Sequence, residues 1–127
     1  MMSKAVTAMI LAASLLAVVF AGSASAGNST ITLNQLTQDL HMGSQVTFTV
    51  ATTRTDRPWV SVACFQSGRL VYKQYQGMFA GYYTAPVLTL GPTPLWTSGG
   101  ATCTGTLLFF DSQGRERPLA TTSFSAQ

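Results

Sequence analysis

Cys64 and Cys103 are the only cysteines among 127 residues, and His41 is the only histidine. A zinc site or a thiol nucleophile needs partners that this inventory lacks, so a disulfide is the expected chemistry of the pair. It would close a loop of about 40 residues, for which the chain-entropy argument gives ~4 kcal/mol. Acid–base catalysis has little to draw on: beyond residue 26 the carboxylates are Asp39, Asp56, Asp111 and Glu116. Asp39 and His41 are two apart and would share a face if they lay on a strand. Asp111 and Glu116 flank a turn, but a tight turn leaves no cleft of the kind a glycosidase pair needs. No serine has the flanking glycines of a nucleophile elbow, and phosphate loops and metal-ligand spacings are absent. The expectation is a protein that is not an enzyme and has no cofactor and no metal. Arg54, Arg57, Arg69, Lys73, Arg115 and Arg117 are too dispersed for a basic groove with interleaved aromatics, so no nucleic-acid partner is expected.

The two cysteines depend on their compartment, and the N-terminus suggests which one that is. Lys4 precedes an apolar stretch, Ala5 to Phe20, which is followed by Ala21-Gly22-Ser23-Ala24-Ser25-Ala26. One positive charge, an apolar core and a small-residue Ala24-x-Ala26 site form the pattern of a secretory signal peptide. The apolar run is shorter than the ~20 residues that span a bilayer, which argues against a retained anchor. Residues 1–26 are therefore expected to be a signal peptide and residues 27–127 a secreted domain with no stable membrane insertion. Export to an oxidising compartment strengthens the disulfide. The exported part carries six cationic side chains against four acids, a mild excess that names no partner.

Serine and threonine supply 25 of the 101 residues after Ala26, which favours strands and turns over helices. Val46, Phe48 and Val50 alternate with Gln45, Thr47 and Thr49, a half-buried strand; Ile31 and Leu33 repeat the pattern upstream. Trp59–Gln66 and Arg69–Tyr75 flank Ser67-Gly68, a hairpin signal. Pro86–Leu90, Ala101–Phe110 and Pro118–Ser125 complete about seven strands, with Asp111–Gly114 as the last turn. No segment of ten residues in this part has helical periodicity. The expected fold is an all-β antiparallel sandwich.

Seven strands in about 100 secreted residues, with Trp59-x4-Cys64 and Trp96-x6-Cys103, resemble an immunoglobulin-like β-sandwich. The segments Trp59-Val-Ser-Val-Ala-Cys-Phe-Gln-Ser-Gly-Arg-Leu-Val-Tyr and Gly99-Gly-Ala-Thr-Cys-Thr-Gly-Thr-Leu are similar to small secreted immunoglobulin-like proteins of actinobacteria and their phages. That resemblance implies extracellular recognition and no defined activity. Antibody domains join their second and sixth strands across the two sheets. Here the second strand has no cysteine, and Cys64 and Cys103 fall on the third and sixth, which are neighbours in one sheet of such a sandwich. The bridge should link adjacent strands.

With Cys64 opposite Cys103, Val62 faces Gly105 and Val60 faces Leu107. Val60, Val62, Cys64, Cys103, Leu107 and Phe109, joined by Val71, then form an inner face. Trp59, Ser61, Ala63, Phe65, Leu70, Tyr72, Thr104, Thr106, Leu108 and Phe110 form the outer one. So many large apolar residues on an outer face are either covered by a neighbouring segment or mark a contact surface. Phe65, Tyr72, Leu108 and Phe110 are the candidates for that surface. Tyr82, Tyr83 and Trp96 could extend it as flat rings with polar edges, or Phe79 and Tyr82 could plug the end of the sandwich. The expected function is a secreted, non-enzymatic module binding a protein or glycan at a cell or virion surface. The alternatives are a structural module forming a homo-oligomer or extracellular assembly, and a small secreted enzyme or enzyme inhibitor.

Overall fold

The computed structural model describes residues 23–25, 28–79 and 87–127. Its elements are β1 (Ser23–Ser25), β2 (Thr30–Leu33), β3 (Gln45–Ala51), β4 (Trp59–Gln66), β5 (Arg69–Gly77), β6 (Val87–Thr89), β7 (Ala101–Phe110) and β8 (Glu116–Ala126). The described residues contain no helix. Every pairing is antiparallel, in two sheets: β2-β3-β6, and β8-β7-β4-β5 with the three residues of β1 on the outer edge of β8. The seven expected strands are thus all present, and β5 and β8 run slightly longer than the sequence suggests.

The sandwich follows from alternation. Ile31 and Leu33 of β2, Val46 and Phe48 of β3, and Leu88 of β6 point inward from the smaller sheet. Val60, Val62 and Cys64 of β4, Val71 of β5, Cys103 and Leu107 of β7 and Phe124 of β8 meet them from the larger one. Val50 and Phe109 are half-buried against this core. Phe48 and Phe124 approach at 6.2 Å between ring centroids. Phe48 lies so close to Gly105 that a Cβ there would sit 2.7 Å from its Cε1, so the sheets can close only over a glycine.

Turn chemistry sets the strand ends. Ser67 and Gly68, at φ 51° and 79°, both take the left-handed conformation, which gives the β4–β5 hairpin a tight turn whose twist matches its strands. At the β7–β8 turn, Asp111 Oδ1 accepts the N–H groups of Gln113 (2.8 Å) and Arg115 (2.9 Å), while Oδ2 accepts from Arg117 Nε (2.9 Å). The Arg115 N–H contributes most to holding the Asp111 carboxyl below its ordinary range. Asp111 is therefore a turn residue.

Two bulges change which side chains face inward. Cys64 pairs with Tyr72 and Phe65 with Leu70, so Val71 is an extra residue in β5. Leu107 pairs with Ala120 and Leu108 with Pro118, so Leu119 is the extra residue in β8 and is buried beside Ala120. An extra residue shifts the alternation by one on its own strand only.

Candidate functional site

Cys64 and Cys103 lie directly opposite one another on β4 and β7, with Cα atoms 4.0 Å apart, joined by a disulfide and fully buried. Val62 faces Gly105 and Val60 faces Leu107, the register expected from the cysteine spacing. The bridge ties neighbouring strands of one sheet. It also fixes the outer face, because a slip of one residue would exchange the two faces.

On that outer face a trough of about 370 Å³ runs across β5, β4, β7 and β8. This falls within the ~300–1,000 Å³ of typical small-ligand sites. Ser61 and Ala63 of β4, Thr104 and Thr106 of β7, and Thr121 of β8 line its floor. Phe65, 37% exposed, stands at one end. At the other end Tyr75 of β5 donates its hydroxyl to Glu116 of β8, and because β4 and β7 lie between, the bond bridges the sheet. Phe110, 40% exposed, is 5.6 Å from Trp59 and 6.1 Å from Tyr75, and Phe79 packs edge-on against Trp59 at 5.8 Å. Lys73 Nζ sits 5.2 Å from the centre of the Tyr75 ring and also feels the charge of Glu116. The cation and the carboxylate thus offset one another within the rim.

Four hydroxyls on this floor, those of Ser61, Thr104, Thr106 and Thr121, have no hydrogen-bond partner among the described residues. Ser61 is only 5% exposed. No buried side-chain polar atom is sealed away unsatisfied, so these oxygens open into the trough. A threonine at every second position of Thr102-x-Thr104-x-Thr106 is a visible signal of a hydroxyl-lined strand face. Alternation places Thr104 and Thr106 on the outer face, but nothing along the chain shows that their hydroxyls stay free.

Three expected surface residues are not exposed on this face. Tyr72 is opposite Cys64 and faces inward because of the bulge at Val71; its hydroxyl donates to the Thr89 carbonyl of β6. Burial pushes its phenol up from the ordinary value. Leu108 does lie on the outer side but is 1% exposed, set between Trp59 and Pro118 in register. Trp96 is 4% exposed and belongs to the core, with Nε1 donating to the Gly99 carbonyl at 3.2 Å. Gln66 holds that loop: Nε2 donates to the Thr97 carbonyl at 3.0 Å and Oε1 accepts the Thr97 N–H at 3.0 Å. Phe65 and Phe110 remain exposed, and Leu70 and Tyr75 join them. Tyr82 and Tyr83 lie outside the described residues.

Asp39 and His41 occupy the segment between β2 and β3, both exposed, and share no strand face. The His41 N–H donates to Ser44 Oγ at 3.0 Å, and Nδ1 is 3.1 Å from the Met42 carbonyl oxygen. Asp111 is engaged in its turn and Glu116 by Tyr75, so those two carboxylates do not converge either. Among the described residues no cluster of three or more His, Cys, Asp or Glu side chains could hold a metal, and no helix is long and apolar enough to cross a membrane.

These features define an all-β sandwich with one disulfide-registered sheet and a hydroxyl-floored trough on its outer side. No protein-family model, no curated protein and no solved structure matches the chain.

Proposed function

We propose that this chain is a secreted, non-enzymatic immunoglobulin-like module that binds a protein or glycan at a cell or virion surface. The outer face of β8-β7-β4-β5 is its contact surface. One observation carries the reading: Phe65, Leu70, Tyr75 and Phe110 stay exposed on the outer side of a sheet whose other side already supplies the core. Large apolar groups gathered on one exposed face mark interaction sites. The strand order supports the immunoglobulin-like assignment. Of the seven strands after Ala26, the third and sixth are central neighbours, with the fourth and seventh outside them.

Phe110→Ser is the test. Its two ring contacts, with Trp59 and Tyr75, predict a stability loss of about 1–3 kcal/mol, since each such pair adds ~0.5–1.5 kcal/mol. Attachment of fluorescently labelled exported protein to intact actinobacterial cells should fall to background. A loss of ~3–5 kcal/mol in the melting curve, the range for a buried phenylalanine, would show that Phe110 is core and end this reading at that position.

Secretion itself is checked by intact mass: the exported protein should begin at Gly27, and a mass that includes residues 1–26 would defeat it. Such cleavage would remove Ser23–Ser25, which pair with Ala120–Thr122 on the edge of β8. That bared edge is the observation favouring the second reading, a homo-oligomer or extracellular assembly, because an unpaired strand edge accepts another strand. Light scattering on the Gly27–Gln127 chain separates the two: a stable dimer at micromolar concentration supports assembly.

A further inference from the structure

We infer that the trough on the outer face takes a neutral saccharide chain. This deepens the binding-module reading above and rests on it. A sugar ring presents apolar C–H faces and hydroxyl edges, so its receptor needs aromatic rings beside hydrogen-bonding groups and little fixed charge. The trough has those parts in that order. Phe65 lines one end, Glu116 lines the other and holds the Tyr75 hydroxyl with Phe110 beside that ring, and the free hydroxyls of Ser61, Thr104, Thr106 and Thr121 line the floor.

Ser61 discriminates most. At 5% exposure it would be expected to bond within the protein, yet its hydroxyl has no partner among the described residues and opens on the trough. A buried polar group without a protein partner is satisfied by water or by a ligand. Each floor hydroxyl can donate and accept, matching the dual character of sugar hydroxyls. Charge argues for a neutral chain over an anionic one. Lys73, the cation lining the trough, lies against the Tyr75 ring and near Glu116, so no unbalanced positive site is presented. A protein partner of typical size would need ~800 Å² on this side, with an apolar centre. The centre here is hydroxyl-lined, with the apolar groups at its ends.

The experiment is an NMR and calorimetric titration of the exported chain with hexasaccharides of α1,4-glucose, β1,4-glucose, β1,4-N-acetylglucosamine and α1,6-mannose, and with a sulfated hexasaccharide. At least one neutral chain should bind at millimolar concentration or better, with amide shifts centred on Ser61, Ala63, Thr104, Thr106 and Thr121. Ser61→Ala and Thr106→Val should each weaken binding about tenfold, the effect of one lost hydrogen bond of ~1.4 kcal/mol, with unchanged melting temperature. The sulfated chain should bind no better than the neutral ones. Absence of binding by every neutral chain, shifts elsewhere, undiminished binding by both variants, or a clear preference for the sulfated chain would each overturn the inference. Should no saccharide bind while Phe110→Ser still abolishes cell attachment, the module reading stands and its ligand is a protein. Should Phe110→Ser also leave attachment intact, the module reading falls as well.

Discussion

Cys64→Ala should lower the stability of the domain by about 2–5 kcal/mol, the usual effect of removing a native bridge from a small disulfide-bonded domain. For a domain of this size that corresponds to a fall in melting temperature of roughly 10–30 °C. The two cysteines are 39 residues apart in sequence and 4.0 Å apart at Cα, so reduction frees a long loop that includes β5 and β6. β6 belongs to the opposite sheet, and the bridge therefore restricts the path that leaves one sheet and returns to it. Total stabilities of ~5–15 kcal/mol make such a loss a large fraction of what holds the domain together. Cys64→Ala should match the Cys64→Ala/Cys103→Ala double variant in thermal unfolding followed by circular dichroism. Adding reductant to the wild type should produce a similar shift. A change under 1 kcal/mol in all three would mean that the hydrogen-bonded pairing of β4 with β7 suffices without the bond.

Trp96→Ala should cost about 3–5 kcal/mol, the range for removing a large aromatic ring from a core. Trp96 is 4% exposed, packs in the main cluster and satisfies its indole N–H on the Gly99 carbonyl. Truncation removes the apolar contacts and leaves the Gly99 carbonyl without that donor. Gln66 should report the same site more gently: Gln66→Ala releases residues 97–100 but removes no buried ring. If instead Trp96 were a ligand-stacking residue on the surface, its replacement would change stability by no more than ~0.5 kcal/mol. Urea unfolding of the two variants beside the wild type decides between these outcomes, with the midpoint shift for Trp96→Ala expected to be the larger.

Most of the scaffold is legible in the chain, because strand alternation is a local property. Val46, Phe48 and Val50 announce an inward face with no knowledge of what will cover it. Ser67-Gly68 announces a hairpin because few residue pairs tolerate two left-handed conformations in succession. The register of β4 on β7 is also legible, through a chemical constraint: a disulfide between neighbouring strands demands that Cys64 and Cys103 stand opposite, and every other pair on the two strands follows.

Burial of the outer-face residues was not legible, for three physical reasons. A bulge places two residues against one, and nothing in Arg69-Leu-Val-Tyr-Lys shows that Val71 is the extra one, so Tyr72 turns inward where plain alternation points it outward. Leu108 has the outward parity the chain predicts but is 1% exposed, and its neighbours in register, Trp59 and Pro118, come from strands distant from it or across a turn. Trp96 sits in a segment without periodicity, and its burial depends on a glutamine 30 positions earlier that clamps the following loop. The amino-acid sequence alone determined the strands, the faces of those without a bulge and the cysteine pairing, all of which arise from neighbours along the chain or from one covalent demand. Only the tertiary structure decided which outward residues are covered and which hydroxyls stay free, because that depends on side chains reaching across strands distant in sequence.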